Sequence, residues 1–236
     1  PTTAQIVMHY FEAEGGSPVD GDIQITPVVI EQFLQLTGPI YVAQYNDTVN
    51  AQNLEDKLHA YQQAQDLINK QVQVTGTDSH STRKAFTNLV GSLIMARAKH
   101  LSPSQLISFG KILLKDLQSR DLQIYFNNPV AEQWLTQNNY NGAMPQFTNG
   151  TDGFMVVQSN ISISKAAQYV HSTYNDQVVL NADGSATHNL NITLDYQQTG
   201  PVYGFNTYAD YLRVYVPSNA QLGSSYGYNS GATLCT

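Results

Sequence analysis

Apolar positions at the start of the chain recur at helical spacing. Ala4, Val7, Met8 and Phe11 form one stripe, Thr2 or Thr3 is placed to cap it and Gly15-Gly16 to end it, so a short amphipathic helix is expected. The next stretch, VDGDIQIT at 19–26, alternates: Ile23 and Ile25 fall on one face and Asp22 and Gln24 on the other, the period of a strand. Pro27 suits the first turn of a helix, where its missing N–H has no helical partner to lose, and PVVIEQFLQL runs on to Thr37-Gly38-Pro39. Ile40 to Gln44 resumes as a strand. Strand, helix, strand in that order is compatible with a right-handed parallel crossover.

The middle of the chain reads as a layer of helices. Leu54, Leu58, Tyr61 and Leu67 mark one over 50–71. Phe86, Val90, Leu93, Ile94 and Ala98 mark another over 83–100, after the polar break TGTDSHST. Leu106, Phe109, Leu113 and Leu117 mark a third after Ser102-Pro103-Ser104. The short apolar run LQIYF at 122–126 suits a buried strand, and NPVAEQWLTQN a helix capped by Asn128 with Pro129 at its first position. From about Phe147 the texture becomes alternating apolar and polar residues punctuated by NADGS and QTGPVYG, the pattern of antiparallel strands joined by tight turns. The expectation is an α/β architecture followed by β. A helix-flanked mixed-sheet domain covers 1–145, and an antiparallel, β-sandwich-like domain covers 146–236, ending in a Gly/Ser/Tyr/Asn-rich tail.

Composition narrows the function classes. Of 236 residues only 12% are charged, while Asn and Gln number 42 and Tyr 15, so neutral amides, hydroxyls and phenols must carry much of the surface. A net charge of −7 with 11 Lys plus Arg argues against nucleic acid, whose affinity rests on clustered cations. No apolar run approaches the roughly 18 residues of a membrane span. The start, PTTAQIVMHYFEAEGG, lacks the basic end of a signal peptide, so an excised or processed piece is expected. The lone Cys235 excludes an internal disulfide and a multi-cysteine zinc site; it is either a terminal bystander or a link between chains.

Reactive groups are sparse. The six histidines show no metal-binding spacing, no phosphate-cradling glycine frame occurs, and no cofactor is expected. Two carboxylate clusters stand out. Asp20 and Asp22, alternate residues around Gly21, project to one face of a regular strand and are weak metal candidates, or else they form a turn. Asp78, His80, Arg83 and Lys84 gather before a helix, either as a solvated cap or as an anion pocket in which the helix N-terminus adds to the two cations. Asn46, Asn149, Asn160 and Asn191 begin N-x-[ST] glycosylation frames. Tyr, Asn and Ser make adaptable, weakly charged contact surfaces, which suit assembly or carbohydrate contact better than catalysis.

Taken together, VDGDIQITP at 19–27, LTGP at 36–39, AQNL at 51–54, RKAF at 83–86, LLKDLQSRDLQIYF at 113–126, TDGFMVVQSNISISKAAQYV at 151–170 and YADYLRVYVPSNAQL at 208–222 resemble the bacterial family called domain of unknown function 4012. That resemblance implies an extracytoplasmic, cell-surface or secreted protein whose full-length form carries an upstream membrane anchor, and it implies no particular activity. A partial second resemblance, in HYFEAEGG at 9–16, LQLTGPIYV at 34–42 and DSHSTRKAF at 78–86, is to the LytR-CpsA-Psr phosphotransferases, and it would set Asp78 and Arg83 before a pyrophosphate. The Arg-Asp strand and R-x-R motif of those enzymes are missing, which implies an inactive chain in that reaction. The expected function is a non-catalytic extracytoplasmic domain that binds or self-assembles, as a structural and even filament-forming unit, through its β domain and its Tyr/Asn/Ser-rich tail. Its expected partner is a second copy or a cell-envelope glycopolymer. The enzymatic alternative is a glycopolymer phosphotransferase or polyprenyl-pyrophosphate binder using Asp78, Arg83 and Lys84.

Overall fold

The computed structural model describes residues 2–144, 147, 150–162, 164–202 and 207–227. Contacts divide the chain into two units, Pro1–Ala143 and Met144–Thr236. The architecture is mixed α/β with small antiparallel ladders, strands dominating toward the C-terminus and no closed barrel among the described residues.

In the first unit, α1 (Thr2–Ala13) buries Ala4 and Met8 against Tyr125 of β4 (Leu122–Phe126), while Val7 and Phe11 remain about half exposed. Strand β1 (Gly21–Ile25) is followed by α2 (Pro27–Thr37), which opens with Pro27 and ends at Gly38, whose N–H bonds the Leu34 carbonyl. The parallel crossover does not form. β1 pairs antiparallel with β4, from Gly21 opposite Phe126 to Ile25 opposite Leu122. The segment after α2 makes only the short strand β2 (Ile40–Val42), which turns through a 3-10 segment, Ala43–Tyr45, to pair with β3 (Asp47–Val49). Asn46 in the left-handed region (φ 46) lets the chain reverse after three residues of strand, so β2 pairs with β3 and not with β1.

The core of this unit joins α2, β2 and β3 to the helical layer through Phe33, Ile40, Val42, Tyr45, Leu54, Tyr61, Phe86 and Val90. The rings of Tyr61 and Phe86 stack at 3.6 Å, and Tyr45 meets both edge-on at 5.4 and 5.2 Å. The helix expected over 50–71 is two: α3 (Leu54–Gln63) and α4 (Gln65–Thr75), separated by extended Ala64. Gln71, fully buried on α4, reconciles the break. Its amide N–H donates to the Tyr61 carbonyl (2.5 Å), and its amide oxygen accepts from Phe86 N–H (2.9 Å). One side chain thereby satisfies a terminal carbonyl of α3 and a first-turn N–H of α6 (Ala85–Ala98). The short α5 (Ser79–Thr82) precedes α6. α7 (Pro103–Ser119) starts in a capping box of Ser102 and Gln105, and α8 (Pro129–Gln137) in the expected Asn128 cap, which accepts from Val130 and Ala131 N–H.

In the second unit, β5 (Met155–Val157) pairs with β8 (Arg213–Tyr215). Two 11-residue strands, β6 (Val170–Leu180) and β7 (Ala186–Tyr196), form a hairpin paired along its full length. The turn is the expected NADGS: Gly184 takes φ 85, Asp183 accepts from Ser185 N–H (3.0 Å) and hydroxyl (2.7 Å), and Asn181 N–H reaches the Ser185 carbonyl (2.8 Å).

Candidate functional site

The segment before α6 is open and locally committed. Arg83 and Lys84 are exposed, and Arg83 Nε donates to the Gln62 carbonyl at 3.2 Å. The Asp78 carbonyl accepts from Thr82 N–H and hydroxyl, closing α5 on itself. The side chain of His80 lies outside the described atoms. α6 starts only at Ala85, and its Phe86 N–H already meets Gln71, so one first-turn donor of the imagined anion pocket is occupied from within.

Asp22 and Gln24 turn toward α1, leaving Ile23 and Ile25 the more exposed face of β1. A cavity of about 70 Å³ lies there, lined by Asp22, Gln24, Gln123 and Asn141 among others, and none of Asp20, Asp78, Arg83 or Lys84 lines it. That is room for a few waters. Asp22 accepts from Gln24 within the same strand (2.7 Å). Among the described residues no group of three or more His, Cys, Asp or Glu side chains is arranged to hold a metal, and no helix is long and apolar enough to cross a membrane.

Elsewhere in the first unit, Asp47 gathers Lys57, the Tyr61 hydroxyl (3.0 Å) and the Thr48 N–H (2.8 Å). Burial pushes its carboxyl up, but these donors outweigh that and hold it below its ordinary value. The knot pins β3 to α3. Its neighbour Asn46 is exposed, with its amide oxygen accepting from the Tyr41 hydroxyl.

The denser polar constellation is in the β unit, where register decides who meets whom. Even-numbered residues of the hairpin share one face: Ser172, Tyr174 and Asp176 of β6 with His188, Leu190, Ile192 and Leu194 of β7. The segment 152–158 lies along that face. Gln158 donates to the Ser172 hydroxyl (2.7 Å) and the Tyr174 hydroxyl (2.6 Å), and accepts from Tyr208 (3.2 Å). Further along, His188 is held between two carboxylates, Nδ1 at 2.7 Å from Asp176 and Nε2 at 2.6 Å from Asp152. Both ring nitrogens can donate only in the imidazolium form, so the bonds to Asp176 and then Asp152 raise its pKa. The same contact with His188, then the Gly153 N–H, lowers that of Asp152. With both nitrogens facing acids, this is a clamp between loop and hairpin. A second tie, Ser159 N–H to Asp210 (2.7 Å) with Arg213 on the Ser159 hydroxyl (3.0 Å), joins the two segments of the β5–β8 region.

The opposite, odd-numbered face is exposed throughout: Thr173 pairs with Thr193, Asn175 with Asn191 and Gln177 with Asn189. These six side chains make no hydrogen bond among the described residues, so a row of neutral donors and acceptors is left to the outside. Asn191 of the fourth glycosylation frame stands in it, with Thr193 on the same face. Asn160, by contrast, has its amide N–H on the Ser164 carbonyl and its oxygen on Ser162. Asn149 and Cys235 lie outside the described residues.

Sequence reasoning singled out Asp78 to Lys84 because those residues are adjacent. It missed the His188 clamp, whose members come from three places and meet only through the hairpin register. The NADGS turn held the signal, since fixing it fixes which β6 residues flank His188. No curated protein and no solved structure matches the chain. The motifs RKAF and beyond fall outside the matched stretch, and over residues 1–62, from α1 into α3, the chain matches the model of a family described as protein of unknown function, DUF4012.

Proposed function

We propose that this chain is a non-catalytic, extracytoplasmic surface domain that works by association, through the antiparallel ladders of its β unit. The observation that carries this reading is the β6–β7 hairpin. It is 11 residues deep on each strand, is built without Lys or Arg, and shows the outside a row of unengaged amides and hydroxyls. Natural edge strands are usually blunted by charge, bulges or cover, because unpaired N–H and C=O groups recruit other chains. A hairpin with no Lys or Arg on either strand is suited to recruitment. The amide-rich, charge-poor surface supports a location outside the cytoplasm. The open placement of Asp78, Arg83 and Lys84, apart from the cavity that Asp22 lines, favours this reading over phosphate transfer.

Sedimentation velocity of the intact chain over a wide concentration range, run beside an assay with a polyprenyl-pyrophosphate glycan donor, tests it. Concentration-dependent assembly without glycan transfer is the expected result. Transfer to an acceptor that is lost in Arg83→Ala would overturn the proposal in favour of a LytR-like transferase.

A further inference from the structure

We infer that β7 is the pairing edge of a two-fold dimer, in which two copies of the chain join β7 to β7 antiparallel about Asn191, giving a four-stranded sheet ordered β6-β7-β7-β6. This rests on the associative reading above and names its partner, a second copy of this chain.

The hydrogen-bond phase of the hairpin shows which groups are free. Asn181 N–H bonds the Ser185 carbonyl (2.8 Å) and Gln197 N–H bonds the Tyr169 carbonyl (2.9 Å), one at each end of the ladder. Odd-numbered residues therefore form the hydrogen-bonded pairs, and Asn189, Asn191 and Thr193 spend their backbone groups on β6. The N–H and C=O groups of His188, Leu190, Ile192 and Leu194 point the other way. Among the described residues no strand pairs with them.

The residue pattern of β7 is self-complementary about its midpoint. With Asn191 on the two-fold axis, Leu190 faces Ile192 of the partner subunit, and Asn189 faces Thr193 of the partner subunit, amide against hydroxyl. Asp195 faces Thr187 of the partner subunit, so no like charges meet. Only this centre pairs the strand over its whole 11-residue length with outward groups matched to outward groups, and positions 188, 190, 192 and 194 alone offer about eight backbone hydrogen bonds. The same operation on β6 about Asn175 sets Tyr174 against Asp176 at the centre, where β7 sets Leu190 against Ile192 of the partner subunit; the flanking pairs are alike, Ser172 against Val178 in β6 and His188 against Leu194 of the partner subunit in β7. The apolar stripe of Leu190, Ile192 and Leu194 becomes continuous between the two copies on one face, and the neutral amide row continuous on the other. A two-fold contact is closed and gives a discrete dimer rather than a fibre.

Single cysteines test the register in a Cys235→Ser background. Asn191→Cys places each thiol opposite its own copy in a non-hydrogen-bonded pair, at a Cα separation of about 4.5 Å, so mild oxidation yields a linked dimer. Asn189→Cys alone does not link, but mixed with Thr193→Cys it does. Native mass is dimeric for the unmodified chain. Asn191→Lys sets two ammonium groups across the axis and weakens the dimer at least about tenfold. Ile192→Pro removes an outward N–H while sparing the β6 ladder and has the same effect, with the far-ultraviolet circular dichroism of both variants unchanged. An oligomer that Asn191→Cys fails to link on oxidation, and that Asn191→Lys leaves intact, overturns the β7 register while leaving association through another surface standing. A chain that stays monomeric at every concentration overturns both.

Discussion

Gln71 offers the sharpest test of how the first unit is held together. Its side chain is fully buried and bridges the Tyr61 carbonyl near the end of α3 and the Phe86 N–H in the first turn of α6. Neither backbone group has an intrahelical partner available, and neither is reached by water. Replacing Gln71 by Met keeps volume and reach but strands one acceptor and one donor, each costing about 1–3 kcal/mol. Allowing for some relaxation and for the apolar contact that Met gains, the expected loss is about 3 kcal/mol. Urea unfolding followed by the fluorescence of Trp134, the chain's one tryptophan, isolates the first unit, to which that residue belongs. With a denaturant dependence of about 2 kcal/mol per molar, the midpoint should fall by about 1.5 M. Gln71→Glu separates hydrogen bonding from packing. It still accepts from Phe86 N–H, but at neutral pH it turns a carboxylate toward the Tyr61 carbonyl, so it should be at least as destabilised as Met and recover on acidification, when the protonated acid can donate. A Met variant whose midpoint stays within about 0.3 M of the unmodified chain would refute the bridging role.

The His188 clamp should be strongest at mildly acidic pH. The raised His188 pKa means its contribution is complete below its ordinary value of 6.5 and lost as pH rises through the raised one. The lowered Asp152 pKa means its contribution is present above 3.8 and lost as pH falls through the lowered one. An NMR titration of the His188 ring should therefore show a midpoint above 6.5 that drops in Asp176→Asn; an unchanged midpoint in that variant would dismiss the clamp. Gly142→Ala should cost about 1–2 kcal/mol in the Trp134 assay. Gly142 sits at φ 62 and a Cβ would come 1.9 Å from the Gln123 amide oxygen, so a neutral outcome would mean that the turn is free to rearrange. Asn128→Ala should cost about 1 kcal/mol by releasing the Val130 and Ala131 N–H groups, measured by the same unfolding transition.

Local chemistry was readable wherever a single residue type enforces it. Pro27 opened α2, Asn128 capped α8, and the NADGS turn joined β6 to β7, because fixed φ, a missing N–H, a capping oxygen or a left-handed glycine acts over only a few residues. The alternation of β6 and β7 also gave an antiparallel pair without reference to anything distant. Pairing partners and breaks were not readable. AYQQAQDL at 60–67 contains no Gly or Pro, yet the chain leaves the helix at Ala64 because a buried amide ten residues after Tyr61 can stitch the break to α6. Strand β1 could have met β2 as well as β4, and the early reversal at Asn46 decided it. The clamp needed both the hairpin register and the course of the loop through Asp152 before three scattered residues became one site. The sequence by itself thus determined elements, caps, turns and an unusually neutral surface, since those follow from short-range sterics and composition. Which strands pair, where a helix may break and which titratable groups meet were decided by the tertiary structure, because those depend on contacts between residues far apart in the chain.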